Sequence, residues 1–117
     1  MITLKVHQLL QKRALVTRDS AKPIGEALAS AEPETAREVT LDFSGVDAMT
    51  PSFMDEVLGI LENTLSRARN GEMRLLLVNP PTRLSAKFSA VARAHGFLIR
   101  ESDGGAWIVT LGSGRAR

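Results

Sequence analysis

Residues 39–61 read Val-Thr-Leu-Asp-Phe-Ser-Gly-Val-Asp-Ala-Met-Thr-Pro-Ser-Phe-Met-Asp-Glu-Val-Leu-Gly-Ile-Leu, and two periodicities meet within them. Val39, Leu41 and Phe43 recur at every second residue, the period of a half-buried strand, and Ser44-Gly45 breaks the alternation. From Thr50 the period becomes helical. Thr50 is a favoured N-cap, because its hydroxyl can accept a hydrogen bond from an N–H that the first turn leaves unpaired. Pro51 suits the first helical position, where φ is already set and the missing N–H costs little. Phe53, Val57, Leu61, Leu65 and Ala68 then share one face, widened by Met54, Leu58 and Ile60, which makes this a core helix. Asp55 and Glu56 lie near the positive end of its dipole. Arg67 and Arg69 suit the other end, and Gly71 is placed to stop it.

Working outward, Met73 to Val78 is apolar except for Arg74, a pattern that suits a central strand buried on both faces. Asn79-Pro80-Pro81 ends it, and Thr82 is read as the cap of a helix in which Leu84, Phe88, Val91 and His95 share a face, with Gly96 as its stop. Phe97–Arg100 and Ala106–Leu111 are two strands joined by the tight turn Asp103-Gly104-Gly105. On the N-terminal side, Ile2, Leu4 and Val6 alternate with Thr3, Lys5 and His7, again a strand. Residues 7–13 admit a helical turn and Ala14–Thr17 a short strand. Asp19 or Ser20 then caps a helix with Pro23 in its first turn and Ala21, Ile24, Leu28 and Ala31 on one stripe. The fold expected is α/β: a mixed, partly parallel sheet of 4–6 strands with about three helices. Residues 1–112 form a single domain and residues 113–117 a disordered tail.

A chain of 117 residues, 44% of them hydrophobic, has the material for one globular core. The net charge is +2, with fifteen Lys and Arg dispersed among thirteen acidic residues. Neutralising a phosphate backbone requires a clustered cationic face, so nucleic acid is not an expected partner. Without cysteine there is neither a disulfide framework nor a thiolate metal site. No signal-peptide pattern opens the chain, and no apolar run nears the ~20 residues that span a bilayer. The expectation is a cytoplasmic protein that neither enters nor binds a membrane.

The catalytic inventory is thin. His7 is read on the polar side of a strand and His95 at a helix end, where the dipole favours a cation. HExxH, GxSxG and phosphate-loop patterns are absent. No cofactor, metal or catalytic residue is therefore expected. Asp42 closes a strand at the edge where open α/β sheets bind ligands. Its structural alternative is to fix the loop Ser44–Asp47 by accepting hydrogen bonds. Asp55 and Glu56 are adjacent on a helix and point about 100° apart, so they do not converge on one ion. Ser52 lies in the first turn, where a phosphate would be electrostatically favoured, or where the hydroxyl merely supports the helix start.

Val39–Leu61 resembles the signature stretch of STAS domains, the fold of anti-sigma-factor antagonists and of the cytoplasmic parts of sulfate transporters. Leu41-Asp42-Phe43-Ser44-Gly45-Val46 matches the strand and its exit, and Met49-Thr50-Pro51-Ser52-Phe53 takes the place of the turn that opens the helix. The run Asp-Phe-Ser-Gly-Val, then Ser-Phe-x-Asp-Glu, is closer still to a bacterial STAS-like family of unknown function. The start Arg18-Asp19-Ser20-Ala21 is similar to that family as well. Thr50 stands where the antagonists carry an acid, and Phe53 where they carry Gly. The resemblance implies a non-catalytic regulatory module that binds another protein, such as a histidine-kinase-like ATPase or another regulator. The phosphoacceptor it implies is Ser52, with Thr50 second. The partner-binding residues would be Asp42, Ser44, Asp47, Thr50, Ser52, Phe53, Asp55 and Glu56. The alternative is a sensor for a small molecule or nucleotide at the same edge, and self-association as a homodimer through a strand edge is a further expectation to test.

Overall fold

The computed structural model describes residues 2–30, 38–67 and 74–111. In chain order these form β1 (Ile2–Lys5), α1 (Val6–Leu10), β2 (Ala14–Leu15), a 3-10 turn (Arg18–Ala21), α2 (Lys22–Ser30), β3 (Glu38–Asp42), β4 (Ala48–Met49) and α3 (Pro51–Arg67). There follow β5 (Arg74–Val78), α4 (Ala86–Ala94), β6 (Phe97–Glu101) and β7 (Trp107–Leu111). The expectations for Ala31, Ala68, Arg69, Gly71 and residues 113–117 fall outside the described residues, as do those for the side chains of Leu65 and Arg67.

Five strands make one mixed sheet in the order β1-β3-β5-β7-β6. The β1–β3 and β3–β5 pairs are parallel, as crossovers through helices require, while β7 runs antiparallel to both β5 and β6. The hairpin β6–β7 folds back so that its second strand, not its first, joins β5. Gly105 takes φ +89° in that turn, and Ser102 donates its N–H to Ala106 O at 2.8 Å. A second, two-stranded parallel sheet pairs Ala14 with Ala48 and Leu15 with Met49.

The core lies on one face of the large sheet. Val39, Leu41, Leu75, Leu77, Trp107 and Val109 are buried there against Ile24, Leu28, Phe53, Val57, Leu61 and Phe88 of the helices. This corrects the reading of β5 as buried on both faces. Leu75 and Leu77 are buried, but Leu76 and Val78 are only partly covered. Leu76 stands in register between Thr40 and Ile108 on the opposite face of the sheet. The sheet is covered by helices on one side, so a central strand in it needs burial on one side only.

Three local readings also change. The cap of α4 is Ser85, whose hydroxyl accepts from Phe88 N, whereas Thr82 lies three residues earlier in the loop. The residues read as a cap before Pro23 form the 3-10 turn that runs directly into α2, with Ser20 and Ala21 buried. Of the two readings of His7 the helical turn holds: His7 belongs to α1, and Val6 with it leaves the strand, because the chain leaves extended geometry at Lys5.

Candidate functional site

The loop from β3 to α3 is held at both ends. Asp42 Oδ1 accepts from Ser44 N (3.0 Å), Ser44 Oγ (2.9 Å) and Asn79 Nδ2 (3.1 Å). The Ser44 N–H and the Asn79 amide, aided by Ser44 Oγ and the charge of Lys5, hold the Asp42 carboxyl below its usual range. These bonds give Asp42 the loop-fixing role, since each donor belongs to its own loop or to the end of the neighbouring strand. Further along, Arg13 O accepts from Asp47 N (2.6 Å) and Ala48 N (3.2 Å), and Leu15 O accepts from Thr50 N (3.0 Å). Arg13 also pairs with Asp47 at 2.8 Å, but both side chains are about two-thirds exposed, so the pair adds little stability.

Thr50 is the N-cap of α3. Its hydroxyl donates to Val16 O at 2.8 Å and accepts from Phe53 N at 3.3 Å. Both roles of that oxygen are engaged, and the residue is half-buried. Ser52, two residues on, is exposed at the second position of the helix. Phe53 is fully buried and turns into the core, which removes it from any contact surface. Ser52 instead lines a shallow groove of about 350 Å³ between α3 and α4, together with Arg18, Pro51, Asp55, Val91 and Ala94.

Asp55 and Glu56 lie in the second turn of α3 and have specific partners, so the helix dipole is a minor part of their setting. Arg18 of the 3-10 turn pairs with Asp55 and reaches Glu56 at 3.8 Å. Asp55 Oδ1 lies 2.6 Å from His95 Nε2, and Glu62 Oε1 lies 2.8 Å from His95 Nδ1. The His95 and Arg18 hydrogen bonds hold the Asp55 carboxyl below its usual range. Burial of the His95 ring opposes its charge, yet the hydrogen bonds to Glu62 and Asp55 outweigh burial and raise its pKa. Of the residues expected to contact a partner, Thr50, Ser52, Asp55 and Glu56 cluster at the start of α3. Asp42 and Ser44 form a separate group at the C-terminal ends of β3 and β5, and Asp47 pairs with Arg13.

Arg18, Glu62 and His95 complete this cluster beyond the residues that the sequence points to. One signal was present: Asp55, Gly59 and Glu62 follow at helical spacing, two acids flanking a residue with no side chain. A Cβ on Gly59 would meet His95 Cε1 at 3.5 Å, so the ring lies over the glycine between the acids. Among the described residues, no group of three or more His, Asp or Glu side chains is placed to hold a metal ion. No helix among them is long and apolar enough to cross a membrane.

With this geometry, residues 24–79 match the family described as a STAS-like domain of unknown function. That stretch is similar to the STAS-like family, and the mixed α/β sheet around it is consistent with such a fold. The matched stretch runs from α2 through β3, the capped loop and α3 to the end of β5, so it contains both Asp42 and Ser52. A human protein bearing the name solute carrier family 26 member 10P is 42% identical over 60 residues, which cover 51% of this chain and 10% of that protein. The matched stretch thus corresponds to about a tenth of that relative's length. No solved structure matches it.

Proposed function

We propose that this STAS-like domain is a non-catalytic regulatory module of the cytoplasm that binds a partner protein through the loop Ser44–Pro51 and the first turns of α3. Ser52 is its switch. The observation that carries this reading is the division of labour between two neighbouring hydroxyls. Thr50 is committed to the cap and to Val16, while Ser52 is exposed on the rim of the α3–α4 groove. Modifying Thr50 would break the helix start, whereas modifying Ser52 leaves it intact and changes the surface charge by about −2. Asp55 and Glu56, one turn along, are already neutralised in part by Arg18. A phosphate on Ser52 would therefore be the dominant new charge on this surface. The partner in this reading is a histidine-kinase-like ATPase or another regulator, recognised through a surface that modification makes more strongly anionic.

The test is affinity capture from the native cytoplasm in the presence of ATP, with wild type, Ser52→Ala and Ser52→Glu. A partner retained by wild type and Ser52→Ala and released by Ser52→Glu is expected. One partner held equally by all three proteins would reduce Ser52 to a helix-start residue and remove the switch.

A further inference from the structure

His95 presents both ring nitrogens to carboxylate oxygens, Nε2 to Asp55 at 2.6 Å and Nδ1 to Glu62 at 2.8 Å. A carboxylate can only accept, so both contacts are hydrogen bonds only when the ring carries two protons. A neutral imidazole has one N–H and would turn its remaining lone pair toward an anion. The geometry is therefore that of an imidazolium, and the His side chain is only 19% exposed, so solvent screens the pair weakly. Since His95 is the C-cap of α4 and both acids stand on α3, the ring is a cross-link between the two helices that form the groove.

We propose that His95 is a proton-binding site that latches α4 onto α3, so that gain or loss of one proton sets the shape of the groove beside Ser52. The charges around it support a single titrating unit. From α3 it faces Asp55 and Glu62, with Glu56 one residue beyond Asp55. Arg18 of the 3-10 turn reaches Asp55 and Glu56, so it shares Asp55 with the ring. On α4 itself Lys87 and Arg93 are exposed. From β6, which packs on α4, Glu101 is taken by Arg83 at 3.0 Å, and Arg100 alternates onto the other face of the sheet. The imidazolium supplies a positive charge directly between the Asp55 and Glu62 carboxylates. On deprotonation one carboxylate contact is lost. Asp55 keeps Arg18 as partner, and the end of α4, with Val91 and Ala94 on the groove wall, is freed from α3. The latch is closed at low pH and opens as pH rises through the raised pKa of the folded protein.

The test uses the free protein without any partner, so its outcome is independent of the proposed binding function. The His95 ring and the methyl groups of Val91 and Ala94 are followed by NMR across pH 5–9, a range centred on the reference value of about 6.5 for histidine. The ring is expected to titrate above that value, and the groove methyls should shift with the same midpoint. Asp55→Asn and Glu62→Gln should each lower the midpoint, and the amide spectrum reports that both variants remain folded. A ring that titrates at or below the peptide value would overturn the proposal. So would methyls that ignore the transition, because His95 would then be charged without operating the groove.

Discussion

Gly45 is the residue on which the loop into the Ser52 surface turns, and replacing it with Ala has a cost that separates into two parts. Its φ is +90°, a conformation that an L-residue adopts only with strain of about 1–3 kcal/mol. In addition, an added Cβ would lie 3.1 Å from both Cγ and Nδ1 of His7, closer than a relaxed contact. Swinging the His7 ring off its rotamer costs a further ~0.5–1.5 kcal/mol. Gly45→Ala should therefore lose about 1.5–4.5 kcal/mol of a stability that is itself only about 5–15 kcal/mol. Urea titration measures this directly, since Trp107 is the one tryptophan and is fully buried, so its fluorescence reports loss of the core. In a His7→Ala background the contact part vanishes and the φ part remains, so the cost should fall to about 1–3 kcal/mol. A Gly45→Ala protein within ~0.5 kcal/mol of wild type would refute the reasoning. An equal cost in both backgrounds would show that His7 is not the obstacle.

Ser85→Ala should cost about 1 kcal/mol by removing the acceptor for Phe88 N, whereas Thr82→Ala should stay within ~0.5 kcal/mol; thermal unfolding of the two variants side by side decides which residue caps α4. The Asp42 carboxyl has a lowered pKa in the folded state, so its contribution is present above the unfolded value of about 4 and is lost as pH falls through the lower folded value. Between about pH 4 and about pH 2, wild type should thus lose more stability than Asp42→Asn, and matching acid limbs in the two urea series would contradict that role.

Periodicity carried much of the fold because it reflects burial directly. Val39, Leu41 and Phe43 alternate for the same reason that they are buried: one face of β3 meets the helices and the other does not. The broad stripe of α3 and the turn at Asp103-Gly104-Gly105 were legible in the same way, through local chemistry. The STAS-like character was legible too, in the run from the strand into the Thr50-Pro51 helix start. Thr82 and Ser85 offer equivalent capping chemistry, and only the fold shows that Ser85 accepts from Phe88 N, in a helix whose Phe88 ring lies 5.1 Å from that of Trp107. The apolar run in β5 predicts burial on both faces, because composition cannot say how many layers cover a sheet.

The candidate site divides along the same line. That Thr50 caps and Ser52 follows it at the helix start is a property of neighbouring residues, and the chain states it in order. That Arg18 reaches Asp55 across 37 positions, or that His95 lies between Asp55 and Glu62, is a property of helix packing. Sequence by itself determined the elements, the capped turn into α3 and the absence of thiol chemistry, because each depends on short-range geometry or on composition. Only the tertiary structure decided which charges neutralise one another. Ion-pair energies depend on distances of a few ångströms between groups far apart in the chain, and those distances exist only once α4 has docked on α3.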